Sequence, residues 1–500
     1  MTKSAGYLKR TIIVMWQAGV ETMSVNGQMP NILFLFADQF NARCLSCSGH
    51  PDVKTPNLDR LASEGVRFEN AFAQSPICTP SRISVLSGVY PSTHGYYGLY
   101  GKEPAQRLTS LFGYFAEHGY RTGALGKLHT PRYWIERDCQ FVYDEFIEFP
   151  KYLEGIGLYD VNDNRRFTGW RDGEVSQLPL EHSCEVVLAK QMVRFLRNQG
   201  EPTERGRADA PWLAWASFAR PHSPLTPSEP FASMYPAERI TLPPSALPEA
   251  LAGQSERIRR VPKTQGPPQP GEVEKTLSAY LALVSQVDYG IGLILGELER
   301  QEILENTIVL FSADHGDYAG EFGLWSKYGG ISTQAVTRIP LIVRLPGKLH
   351  AGRVCDEIVE AIDLFPALRE LVGLSSADHI QGISFLPLLK ENPQPIRESA
   401  LTENAYRKAL ATKQWRYVAN IGNQRDELYD RLNDPWELRN LIDEPSHAAI
   451  ARRLQRELLD RVVRARRPIT AFNRGQRQHR YDRDGRAPAT ALSDHADIHL

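Results

Sequence analysis

The residues best suited to chemistry on an anion lie in one stretch, Ile77-Cys78-Thr79-Pro80-Ser81-Arg82-Ile83-Ser84. Pro80 lacks an N–H and has a preset φ, which suits the first turn of a helix. The spacing predicts a short helix over 80–86, stopped by Gly88 and, past Tyr90, by Pro91. Cys78 then sits just before a helix N-terminus, where unpaired N–H groups and the dipole favour negative charge. Arg82 follows four residues later, one turn along the same face, so its guanidinium can lie beside the sulfur. A planar fork of donors matches tetrahedral oxyanions such as sulfate or phosphate. Taken alone, the pattern equally fits a buried cysteine in a plain loop-to-helix turn.

The elements around this stretch decide between those readings. Residues 31–37 (NILFLFA) form a continuous apolar run, as expected of a strand buried on both faces of a parallel sheet, and the run ends in Asp38-Gln39. Helices are predicted over 56–63, 110–118, 184–198 and 273–301, and strands over 66–73, 120–126, 212–219, 307–313 and 340–345. This alternation predicts an α/β fold with a mostly parallel sheet sandwiched between helices. Ligands in such sheets bind beyond the carboxyl ends of the strands. Four strands here end in metal- or anion-suited residues: Asp38-Gln39, Lys127 with His129, His222, and Asp314-His315. One such end is ordinary loop polarity, but four beside the Cys78 helix point to a site.

Composition narrows the class. The chain has 500 residues, 42% hydrophobic and 23% charged, with a formal net charge of −1, which argues against bulk attraction to nucleic acid or an anionic membrane. Six scattered cysteines suggest no disulfide framework, so a reducing, cytoplasmic location is expected. Cys44 and Cys47 form a C-x-x-C without a second pair, which makes a poor zinc site. No stretch reads as long enough to span a membrane. Residues 1–28 are expected to be a disordered leader or a mis-assigned start, 29–385 the catalytic domain, 386–465 a smaller C-terminal α+β subdomain with an antiparallel sheet and a helix, and 466–500 a tail. Residues 130–180 look irregular and 241–270 look like a surface excursion. The arginine-rich region 452–486 reads as a solvated helix face and a loose tail.

Taken together, these residues resemble the formylglycine-dependent sulfatases of the alkaline-phosphatase-like superfamily. Cys78-Thr-Pro-Ser-Arg82 is similar to that family's C-x-P-S-R signature, Asp38-Gln39 to its first metal pair, and Gly126-Lys127-Leu-His129 to its G-K-x-H segment. Asp314-His315-Gly316 followed by Gly323-Leu-Trp-Ser-Lys327 resembles its second metal pair and distal lysine. Glu427 to Asp430, continuing through Asp434-Pro435 to Asn440-Leu441, resembles its C-terminal signature. The resemblance covers roughly residues 30–460.

It implies that a formylglycine-generating enzyme oxidises Cys78, and that the formylglycine hydrate attacks the sulfur of a sulfate monoester. It further implies a divalent cation on Asp38, Gln39, Asp314, His315 and the modified Cys78. Calcium is the first expectation, because it prefers hard oxygen ligands. The imidazole makes manganese credible, and magnesium is a further choice. In the same reading Arg82 holds the hydrate, Lys127 and Lys327 neutralise sulfate oxygens, and His129 is the base of the elimination step. His222 is the leaving-group acid, with a pKa near neutrality. The expected partner is a small-molecule or saccharide sulfate ester, with homo-oligomerisation open. Two other functions are compatible with these residues: a phosphonate monoester or phosphodiester hydrolase on the same scaffold, and a non-catalytic sulfoglycan-binding relative.

Overall fold

The computed structural model describes residues 12–17, 20–25, 27–99, 108–158, 173–198, 210–247, 250, 271–327, 333–377, 379–390, 392–422 and 425–465. Within the expected leader, β1 (Ile12–Gln17) and β2 (Val20–Val25) pair as an antiparallel hairpin. The main sheet contains β3 (Asn31–Asp38), β4 (Val66–Phe72), β5 (Arg121–Gly126), β6 (Phe141–Asp144), β7 (Trp212–Pro221), β8 (Thr307–Ala313), β9 (Arg338–Ile339), β10 (Leu341–Arg344) and β11 (Arg353–Glu360). Its order is β11-β4-β10-β8-β3-β7-β5-β6, with β9 alongside β4. β6, β5, β7, β3 and β8 run parallel, and β11 runs parallel to β4. β10 is antiparallel to both β8 and β4, so β4 shares the direction of the central strands. The carboxyl ends of β3, β4, β5, β7 and β8 therefore open on one edge of the sheet.

The three central strands carry the core. Phe34 lies in register with Trp215 on one side and Leu310 on the other, all fully buried. The 29-residue helix Glu272–Arg300 covers this sheet with the helix Cys184–Arg197. Contrary to the expectation from sequence, that long helix is apolar and long enough to cross a bilayer, yet most of it is buried inside the fold. Its apolar character is that of a core helix.

The section expected to be irregular holds the helices Arg132–Asp138 and Glu145–Gly155, with β6 between them. Pro150 inside the second helix removes the sequence signal for it. The expected excursion at 248–249 and 251–270, and the tail at 466–500, lie outside the described residues.

The C-terminal sheet is antiparallel in the order β12 (Ser399–Glu403), β13 (Arg407–Thr412), β14 (Trp415–Asn420), β15 (Glu427–Asp430), and the helix Ala448–Ala465 packs on it. This smaller α+β part packs directly on the main body. Leu401, Leu410 and Tyr417 share a core with Tyr90 and Ile362, and Ala400 and Ala411 pack with Phe72 of β4 and Ile358 of β11. Arg461, expected on a solvated face, reaches inward to Glu360 at 2.6 Å and to the hydroxyl of Tyr90 at 2.7 Å.

Candidate active site

The helix α2 (Cys78–Ser87) starts at Cys78 itself, two residues before the expected start, because Ile77 takes the extended N-cap position. Gly88 ends it at φ 69°, as its sequence position implied. Every residue of this helix is buried. Arg82 lies one turn below Cys78 and is fully buried. Its Nε donates to Asp314 Oδ2 at 2.8 Å, Nη2 to Asp38 Oδ2 at 3.3 Å, and Nη1 to the Lys127 carbonyl at 2.6 Å and to Ser217 Oγ at 2.7 Å. The guanidinium thus ties the ends of β3, β5, β7 and β8 together. Its four hydrogen bonds go to two carboxylates, a backbone carbonyl and a hydroxyl.

Lys127 is delivered by Gly126, whose φ is 98° and whose Cβ, if present, would sit 2.0 Å from the Ser217 carbonyl. Only glycine permits this close approach of β5 to β7. The buried Lys127 ammonium then pairs with Asp38 Oδ2. Gln39 and His129, each directly after or near a strand end, have left-handed φ of 65° and 45°. Strain of this kind concentrates at functional sites.

Burial alone would raise the Asp38 carboxyl, but Lys127, His222, Arg82 and Lys327 together hold it well below the usual carboxylate range. Burial lowers Lys127 despite the opposing pull of Asp38. Burial brings His315 down to about 4, so its ring is neutral near pH 7. The His315 Nδ1–H donates to the Gly316 carbonyl at 2.8 Å, which leaves the Nε2 lone pair facing inward.

A cation fits this donor set. Asp38 Oδ1 and His315 Nε2 are fully buried without a hydrogen-bond partner, 3.9 Å apart, and Nε2 is 3.7 Å from Asp314 Oδ1. The donor atoms of Cys78, Asp314 and His315 all lie within 4.8 Å of one another. A carboxylate oxygen and an imidazole nitrogen buried without partners would otherwise be costly. Gln39 is anchored by its N–H to Asp314 Oδ1 at 2.9 Å, and its Oε1 accepts from Lys327 Nζ at 3.0 Å. Lys327 is therefore drawn to the same point.

His222 is half-buried, and its Nδ1–H donates to the Ser223 carbonyl at 2.9 Å. It interacts electrostatically with Asp38, Lys127 and Lys327. Burial, then repulsion from Lys327 and Lys127, holds it well below the ordinary histidine value, which corrects the expectation of a pKa near neutrality. The ring of His129 stacks on Phe146 with centroids 4.8 Å apart, and that phenyl lies 5.9 Å from Lys127 Nζ. His94 accepts from Tyr96 N at 3.1 Å, lies 3.0 Å from Ser84 Oγ, and serves the packing of α2.

Three contributors escaped sequence reasoning. Ser217 accepts from Arg82, and its signal was a lone hydroxyl within the otherwise apolar run of β7. Asp317 holds the Gln39 amide, and its signal was a further carboxylate three residues after Asp314. The Tyr280 hydroxyl donates to the Gln39 carbonyl at 2.7 Å and accepts from Asn41 N at 2.9 Å. One tyrosine in a helix 241 residues away from Gln39 gave no signal at all.

Comparison with known proteins agrees with this geometry. The sulfatase family model matches residues 30–374, and that of the N-sulphoglucosamine sulphohydrolase C-terminal region matches residues 320–464. An arylsulfatase of Clostridium perfringens is 27% identical over 453 residues, spanning 83% of this chain and 90% of its own. An iduronate 2-sulfatase of Mus musculus is 30% identical over 390 residues, spanning 69% of each. Among solved structures, the phosphonate monoester hydrolase of Agrobacterium radiobacter shares the fold with a TM-score of 0.75 at 24% identity, over 87% of this chain and 96% of that one. This chain belongs to the sulfatase family, sulfuric ester hydrolases with the alkaline-phosphatase-like fold.

Proposed function

We propose that this enzyme cleaves a sulfate monoester with a formylglycine made from Cys78 and a divalent cation held by Asp38, Gln39, Asp314 and His315. The observation that carries the reading is the convergence of the unpartnered Asp38 Oδ1 and His315 Nε2 with Asp314 and Cys78, beside the ammonium groups of Lys127 and Lys327. Enzymes of this family generally use a formylglycine and a divalent metal. When bound, the cation supplies Lewis acidity toward a sulfate oxygen and a template for the nucleophile. The formylglycine hydrate supplies an oxygen nucleophile with a second hydroxyl for the release step.

The chain's own residues do the rest. Arg82 holds the Asp38 and Asp314 carboxylates in place through its hydrogen bonds. Lys127 and Lys327 bind sulfate oxygens and offset the charge that builds up on the leaving oxygen. His129, steadied on Phe146, accepts a proton in the release step. His222 has its bare Nε2 available because Nδ1 is committed to Ser223. Burial and then the repulsion of Lys327 and Lys127 hold this ring low, and an anionic ester beside those ammonium groups offsets the second cause, which favours donation from His222 to the leaving oxygen. Calcium is the favoured ion for three oxygen donors and one imidazole, with manganese and magnesium as the competing choices. The relatives' names point to aryl sulfates and sulfated saccharides as the first substrates to screen.

The test is kcat/KM on an aryl sulfate and on the matching aryl phosphonate, using protein co-expressed with a formylglycine-generating enzyme. Mass spectrometry of the Cys78 peptide is run in parallel. The expected result is an aldehyde in place of the thiol and a preference for the sulfate. A preference for the phosphonate would assign the chain to phosphonate ester hydrolysis on the same scaffold, and activity that persists in fully unmodified thiol protein would remove the formylglycine mechanism.

A further inference from the structure

A glutamine is an orientation-sensitive ligand for a cation site, because its amide has two ends of nearly equal size. Turned one way it offers an oxygen lone pair to the ion, and turned the other it aims two hydrogens at it. Something must fix the orientation. On one side, Gln39 Nε2 donates to Asp317 Oδ2 at 2.5 Å. On the other, Gln39 Oε1 accepts from Lys327 Nζ at 3.0 Å and lies 3.5 Å from Ser326 Oγ. A lysine ammonium can only donate, so Oε1 is the end that faces Lys327, and the same rotamer presents Nε2 to the Asp317 carboxyl oxygen.

Asp317 is 3% exposed, and its other oxygen, Oδ1, accepts from Ala319 N at 2.6 Å and Ser326 N at 3.0 Å. These backbone bonds fold the 317–326 loop back on itself, and Lys327 emerges directly from its end. Asn41 Nδ2 donates to the Asp317 carbonyl at 2.7 Å, which ties that loop to the segment after β3. With both carboxylate oxygens engaged by N–H donors, Asp317 is not itself placed to ligate.

We propose that Asp317 is the positioning residue that makes Gln39 a cation ligand, and that through the same carboxylate it sets the place of Lys327. The inference rests on reading Asp38, Gln39, Asp314 and His315 as a cation site. It extends that reading by stating why an amide serves there. Groups that orient metal ligands in this way typically change affinity by roughly 10–100-fold when removed.

The experiment is calorimetric titration of calcium into chelator-stripped protein at pH 8. The variants are Asp317→Asn, Gln39→Glu, the double variant Gln39→Glu with Asp317→Asn, and Asp38→Asn as the control for the site itself. Asp317→Asn is expected to weaken calcium binding roughly 10–100-fold. Gln39→Glu sets two carboxylates against each other, and it is expected to disturb the site as well. The double variant exchanges donor and acceptor across the same contact. The amide introduced at position 317 can donate to one oxygen of the carboxylate introduced at position 39, while the other oxygen faces the ion. This double variant is expected to bind calcium within a few-fold of the parent. A purely structural role for Asp317 would not be rescued by changing residue 39. Parent-like affinity in Asp317→Asn, or a double variant no better than Asp317→Asn, overturns the proposal while leaving the cation site standing. A parent that binds no calcium, manganese or magnesium, or one unaffected by Asp38→Asn, overturns the cation site, and this proposal with it.

Discussion

Replacing Arg82 by alanine tests whether the site is held together by charge. The guanidinium is fully buried and bridges Asp38, at the end of β3, and Asp314, directly after the neighbouring β8. Asp38 retains Lys127 when Arg82 is gone, whereas Asp314 Oδ2 loses its hydrogen-bonded cation and keeps only the N–H bonds to Oδ1 from Gln39 and His315. The loss therefore resembles breaking a buried pair from one side, which costs about 3–5 kcal/mol. Arg82→Lys keeps the charge but replaces a fork serving four acceptors with one ammonium, so a loss of about 1.5–3 kcal/mol is expected from the abandoned charged hydrogen bonds.

The assay is urea denaturation of each protein at pH 7.5, once with chelator and once with saturating calcium. A dication held by Asp38 and Asp314 would supply the compensation that the guanidinium gave, so the gap between parent and Arg82→Ala is expected to shrink when calcium is present. An Arg82→Ala protein within about 0.5 kcal/mol of the parent in chelator would refute the reasoning, because substitutions that lose no such interaction fall in that range. A gap equal in chelator and calcium would refute the idea that arginine and ion share one electrostatic duty.

Chelation should lower the melting temperature and abolish ester cleavage, and calcium at 100 times its Kd should restore about 2.7 kcal/mol in a thermal-shift series. Asp288, on the helix Glu272–Arg300, accepts from Leu58 N at 2.8 Å and Asn57 N at 3.1 Å, capping the helix α1 (Pro56–Ser63) from a distant element, and burial raises its carboxyl to about 6. A raised folded-state carboxyl stabilises below the unfolded pKa near 4, and that contribution is lost as pH rises through about 6. Parent stability relative to Asp288→Asn should therefore fall by about 2.4 kcal/mol between pH 4 and 7, and parallel profiles would exclude the linkage. Arg397 pairs with both Glu360 and Asp363 in the core beneath the C-terminal sheet, so Arg397→Met should cost about 3–5 kcal/mol in denaturant titrations, with the Cys78 region still folded.

The legible part of this molecule is what short-range physics dictates. Residues 31–37 and 307–313 are apolar without alternation because a central parallel strand is buried on both faces, and both became strands within a residue of the expected ends. Gly88 ended α2 because only the left-handed cap it permits closes that turn. The carboxyl-end residues of these strands were readable as a site because parallel strands deliver their ends to one edge. Signals failed where the cause was not local. Glu145–Gly155 is a helix despite Pro150, and β11 was missed because its exposed, charged half hides the buried Ile358-Val359-Glu360 end.

Sequence alone thus determined the class of sheet, the Cys78 turn, and the residues gathered at the strand ends, since each is written in residue type and spacing. Which side of β8 carries an antiparallel neighbour, how Arg82 divides its bonds between Asp38, Asp314, Lys127 and Ser217, and which end of Gln39 faces inward were decided only in three dimensions. The reason is physical: a hydrogen bond depends on the angle and distance between groups. Asp317 meets Gln39 across 278 residues, a separation at which periodicity carries no information.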